Sequence, residues 1–220
     1  MLPTGTGRGT LMGMAKPEEG TAPDGRRYVH PTTRAQWRAW LGKHHGEGEG
    51  VWVVSWKKAT GRPAPTYDDV VGEALAHGWV DSKPATFDAE RGMLWVAPRK
   101  RRSSWSRLNK QRVEALIAAG RMTPAGLAAV EQARADGTWT ALDAVEDLVV
   151  PDDLAAALDA DPVARRAFDA FPRSATRAIL EWISSAKKAE TRAARVATTV
   201  AEAHEGRRAN QWRQPKGVGG

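Results

Sequence analysis

Thr66-Tyr-Asp-Asp-Val-Val-Gly-Glu-Ala-Leu-Ala-His-Gly-Trp-Val-Asp81 changes its period part-way through, and that change decides the fold class. Thr66 with Asp69 three residues on has the pattern of a capping box, and Val70, Val71, Ala74 and Leu75 follow at helical spacing. Gly78 stops the helix, because glycine takes the left-handed backbone of a C-terminal cap without a Cβ penalty. Trp79-Val-Asp-Ser-Lys83 then reads as a strand. Working outward, Val51-Trp-Val-Val-Ser-Trp56 and Met93-Leu-Trp-Val-Ala97 read as two more, the first with Trp52, Val54 and Trp56 on one face. Pro84 and Pro98 are expected to close the later strands. Thr33 with Gln36 caps a helix through Trp37, Trp40, Leu41 and His44 that stops before Gly46.

Beyond residue 103 the pattern is helical. Ser104 or Ser106 can cap a helix carrying Leu108, Val113, Leu116 and Ile117, which ends at Gly120. Thr123-Pro124 is an N-cap followed by proline at the first helical position. Further helices open near Pro151-Asp-Asp153, Asp161-Pro162 and Ser174, the last stretch being one bent helix or two. The fold class is therefore α+β: a small antiparallel sheet with helices in the N-terminal half, followed by a mostly α-helical C-terminal half. Six glycines and three prolines in residues 1–30 read as a disordered leader. An α+β domain at 31–121, a helical connector at 122–149, a helical region at 150–205 and a flexible tail at 206–220 complete the organisation.

With 220 residues and 41% hydrophobic content the chain can bury a core, and with no cysteine it has no disulfide, thiolate metal site or thiol nucleophile. No apolar run approaches the ~20 residues that cross a bilayer, and no signal-peptide pattern is evident, so the expected location is cytoplasmic. The net charge of +7 is unevenly spread. Residues 99–121 hold eight basic side chains against one acidic, 122–162 one basic against nine acidic, and 163–220 twelve basic against five acidic.

The candidate site is the strand-to-helix junction. Arg99, Arg102, Ser104, Trp105, Ser106 and Asn109 lie where a helix start offers free N–H groups, and guanidinium forks with hydroxyls there suit an anion. His77, Trp79 and Asp81 sit on the neighbouring strand, with Asp81 expected to face Arg99 or Arg102. The competing reading is a solvated basic turn with Trp105 packed inward. Lys188, Arg192 and Arg195 form a secondary basic face at helical spacing, which is either a polyanion grip or simply solvated. No metalloprotease, P-loop or nucleophile-elbow motif occurs, and no cofactor or metal is expected.

His77-Gly-Trp-Val-Asp81, Pro98-Arg99 followed by Arg102 and Ser104-Trp-Ser106 with Asn109, Gly120-Arg-Met-Thr-Pro-Ala-Gly126, Val150-Pro-Asp-Asp-Leu154 and Ala186-Lys-Lys-Ala-Glu-Thr-Arg192 occur in that order. In that order they make residues 35–205 resemble the YdeI/OmpD-associated bacterial proteins. The resemblance implies protection against bacteriocins and cationic antimicrobial peptides and a link to outer-membrane porins, with no settled reaction, cofactor or catalytic residue; the stretch from Val150 resembles the part carrying the bacteriocin-protection label. The expected function is a non-enzymatic binding or stress-protection protein whose partner is an anionic small molecule or acidic macromolecule. The alternatives are nucleic-acid binding through residues 99–112 and 187–213, and an enzyme using Asp81 and His77 as acid and base.

Overall fold

The structure is a computed structural model that describes residues 16–210. The first fifteen residues of the expected leader, and the expected tail from 211 onward, lie outside the described residues. The chain divides into two compact units, one formed by residues up to Ser103 together with Leu108–Asp136, the other by Ser104–Arg107 together with residues from Gly137 onward.

The first unit is built on a five-stranded sheet. Strands β1 (Glu18–Thr21) and β2 (Arg27–His30) form a hairpin; α1 (Arg34–His44) follows, then β3 (Val51–Trp56), α2 (Tyr67–Ala76), β4 (Trp79–Thr86) and β5 (Arg91–Pro98). The order across the sheet is β1-β2-β3-β5-β4. Both expected N-caps are formed: the Thr33 hydroxyl accepts from the Gln36 N–H, and Thr66 and Asp69 make a reciprocal capping box. Alternation in β3 sends Val51 and Val53 under α1 and α2 with Trp37, Trp40, Leu41, Val70 and Ala74, and sends Trp52 and Val54 to the other face with Tyr28.

Three expectations are corrected here. Residues 18–30 are not part of a disordered leader. They pair as a hairpin closed by Ala22–Arg26, and Val29 is fully buried. Four-residue strands among glycines carry little propensity of their own; docking on β3 stabilises them, and Gly20 leaves room for the Tyr28 ring, 2.9 Å from where a Cβ would stand. Nor is the sheet wholly antiparallel: β2 and β3 run parallel because α1 connects them as a crossover, which a parallel pair requires. Finally, β4 continues past Pro84 with a register shift between Asp81 and Pro84. As an edge strand it accommodates a residue that has no N–H to donate.

Helices α3 (Arg107–Ala118) and α4 (Pro124–Ala135) follow. Residues 122–136 are not a connector but part of the first unit, since the Thr123 hydroxyl and N–H both donate to the Ala76 carbonyl at 2.7 and 3.0 Å. The second unit contains α5 (Asp143–Glu146), α6 (Asp152–Asp159), α7 (Pro162–Asp169), α8 (Arg173–Ser184) and α9 (Ala189–His204). Residues 174–204 thus form two helices. Leu154, Leu158, Phe168, Ile179, Leu180 and Ile183 form the second core.

Candidate functional site

The sequence-predicted residues fall in both units. His77 is buried at the end of α2, where its Nδ1–H donates to the Glu73 carbonyl at 2.8 Å. Trp79 is a core residue whose indole N–H donates to the His45 carbonyl at 3.0 Å. Asp81 accepts from the Tyr67 hydroxyl at 2.7 Å. Burial pushes the half-buried Arg99 guanidinium down to about 10, and the charge of the Asp81 carboxylate opposes that fall. Arg102 is exposed and occupies left-handed backbone at φ 61°. Ser104, Trp105 and Ser106 belong to the second unit, where Trp105 is buried against Trp139 with ring centroids 5.0 Å apart. Asn109 Oδ1 accepts from Arg112 at 3.2 Å, and the Arg112 guanidinium lies 5.6 Å from the Tyr67 ring centroid.

A second constellation in the first unit was not anticipated. Glu73, on α2, is 1% exposed, a burial that an ionised carboxylate tolerates only with cations around it. Arg34 Nε on α1 and Arg121 Nη2 beyond α3 both donate to its Oε1, at 2.6 and 2.8 Å. Arg38 Nε lies 3.9 Å from Oε2, and Arg34 also stands 3.6 Å from Asp69. Beside this knot opens a cleft of about 460 Å³ lined by Arg34, Asp68, Asp69, Gly72, Leu108, Arg112, Ala115, Leu116 and Arg121. Arg112 donates to Asp68 on its wall at 2.5 Å. The available signal in the sequence was a glutamate inside the apolar run from Val70 to Leu75, a position that demands buried partners.

Residues 147–206 match the family model described as Bacteriocin-protection, YdeI or OmpD-Associated. The chain carries a YdeI/OmpD-associated domain. That domain holds α6 to α9 of the second unit. Residues 29–129 match a separate model, described as Domain of unknown function (DUF8412), which contains the whole arginine-lined cleft. The motifs from His77 to Gly126 therefore fall under this second match rather than under the YdeI/OmpD-associated one. No curated protein and no solved structure matches the chain.

In the YdeI/OmpD-associated domain the expected basic face is largely engaged. Arg192 grips Asp153 through two bonds of 2.6 and 2.9 Å, tying α9 to α6. Arg195 donates to the Trp182 carbonyl and to Ser185 Oγ, and its guanidinium lies 5.2 Å from the Trp182 ring centroid. Lys188 is exposed before the first turn of α9. Among the described residues no helix is long and apolar enough to cross a membrane, and no group of three or more His, Asp or Glu side chains is placed to hold a metal.

Two buried histidines in the first unit set a pH dependence. His30, 4% exposed with Nδ1 3.4 Å from Glu18, and His77 are both held below the ordinary imidazole pKa, in each case mainly by burial. A depressed pKa means that the unfolded chain takes up protons first. Stability is fully present above ~6.5, the unfolded pKa, and is lost as pH falls through the lower folded values. Urea midpoints should be level between pH 8 and 7 and should drop from pH 6.5 to 5, above the range where carboxylates titrate. The double variant His30→Gln/His77→Gln should flatten that drop; an unchanged slope assigns it to other groups.

Proposed function

We propose that the chain is a non-enzymatic, cytoplasmic binding and stress-protection protein whose first unit accepts an anion in the arginine-lined cleft. Its YdeI/OmpD-associated domain supports a link to bacteriocin or antimicrobial-peptide resistance through what that family's name implies. One observation carries the binding reading: a single buried carboxylate, Glu73, holds Arg34 and Arg121 against the cleft wall. A guanidinium has five N–H donors, and Glu73 takes one from each arginine. Fixing the forks in advance reduces the entropy lost when an anion arrives. Asn109 positions Arg112 at the same cleft, and Asp81 holds Tyr67 beside it.

The nucleic-acid reading is weaker, because guanidiniums of both basic segments are already neutralised: Arg107 by Asp147, Arg192 by Asp153 and Arg207 by Glu202. The acid–base reading finds His77 Nδ1 committed to a backbone carbonyl.

Calorimetric titration of the full chain with inorganic phosphate and with acetate at low ionic strength tests the proposal. At least one should bind saturably. Arg112→Gln should weaken that binding about tenfold or more, the factor for losing a charge-assisted hydrogen bond. Failure of both anions, and of longer carboxylates alike, to bind overturns the reading. Fractionation of producing cells tests the location.

A further inference from the structure

Resting on the anion-binding reading of this cleft, we infer that its ligand is a carboxylate joined to an apolar group, the carboxylate held by Arg34, Arg112 and Arg121 and the apolar group resting on Leu108. The first support is composition. Leu108 is 54% exposed, yet it stands with Ala115 and Leu116 on the wall of a cleft that carries three guanidiniums. Exposed apolar side chains beside fixed cations match a ligand that is apolar at one end and anionic at the other.

Gly72 supplies independent support. It sits inside α2, where glycine is a poor helix former, and a Cβ there would meet nothing within 4 Å. No packing contact accounts for the missing side chain. Its effect is to leave the cleft open where α2 forms its wall.

Charge then selects among anions. The three lining arginines face Asp68 and Asp69 within the cleft and Glu73 behind it, so with Arg38 the surroundings carry four positive charges against three negative. A single negative charge completes that balance, whereas a phosphate dianion would overshoot it next to two carboxylates. A planar carboxylate also matches the guanidinium fork. The volume of about 460 Å³ far exceeds what a bare carboxylate fills.

The test is calorimetric titration of the full chain with acetate, butanoate, hexanoate and inorganic phosphate. Affinity should rise about fourfold for each added methylene, the factor that burying one methylene supplies. Gly72→Leu, which fills the open space, and Leu108→Ser, which removes the apolar wall, should each weaken hexanoate at least tenfold. Ile117→Ser, at an exposed position outside the cleft, should leave it unchanged. Circular dichroism confirms that each variant folds. If phosphate or acetate binds but affinity does not change with chain length, the anion site stands and this inference falls. If none of the four binds, both fall. A chain-length dependence untouched by Gly72→Leu and Leu108→Ser places the apolar contact elsewhere and overturns the inference.

Discussion

Replacing Arg34 and Arg121 together by alanine should lower the unfolding free energy by about 3 kcal/mol, the low end of what stripping a buried charge of its partners costs. Both guanidiniums donate to one oxygen of Glu73, which is itself 1% exposed. Without them the carboxylate must stay in a poor solvent with its two hydrogen-bond donors gone, or drag water inward. Arg38, 3.9 Å away, remains and holds the cost toward the low end. The reverse change is milder. Glu73→Gln should cost only about 1 kcal/mol, because the amide oxygen still accepts and both arginines, each about a third exposed, can turn to water. Urea unfolding at pH 7 measures both. If the glutamine variant proves the costlier, the arginines are not what allows Glu73 to be buried.

Gly126→Ala should destabilise by about 3 kcal/mol, an overpacking cost that outweighs the usual helical gain from alanine. The new methyl would stand 2.2 Å from the Ala76 carbonyl oxygen and 2.7 Å from its carbon. Backbone cannot step aside as a flexible side chain can, so α4 must move away from the end of α2. The two bonds from Thr123 to that same carbonyl would go with it. Gly72→Ala should do the opposite and stabilise by roughly 0.5–1 kcal/mol, since its helix position is open. Thermal unfolding of the two single variants should move the midpoints in opposite directions. A tolerated Gly126→Ala would show that α2 and α4 do not approach so closely.

What could be read from the residues beforehand follows the range of the forces involved. Thr33 with Gln36, Thr66 with Asp69 and Thr123 with Pro124 cap their helices through contacts within three residues, and all three helix starts appear where those residues place them. Strand β3 was legible because β-branched and aromatic residues alternate along it. The hairpin β1–β2 was not, because its stability comes from pairing with β3 across more than twenty residues. The same holds for the cleft. Glu73 meets Arg34 and Arg121 at separations of 39 and 48 residues, and nothing local marks those arginines among the other basic side chains. Around the junction, proximity in sequence says little about burial. Arg102 and Trp105 are three residues apart, yet the first is exposed and the second is buried.

Trp105 also bears on how the molecule can be divided. Residues Ser104–Arg107 belong with the later helices although the chain on either side of them belongs with the sheet, and Trp105 is covered there by Trp139. A fragment ended at residue 129 or 136 would retain this indole while discarding the ring it rests on, and a fragment begun at 137 or 147 would lack it. Either excision leaves a greasy surface that was never meant to be wet. Clumping of such a piece at modest concentration would therefore report a lost cover, not a defect in the sheet itself.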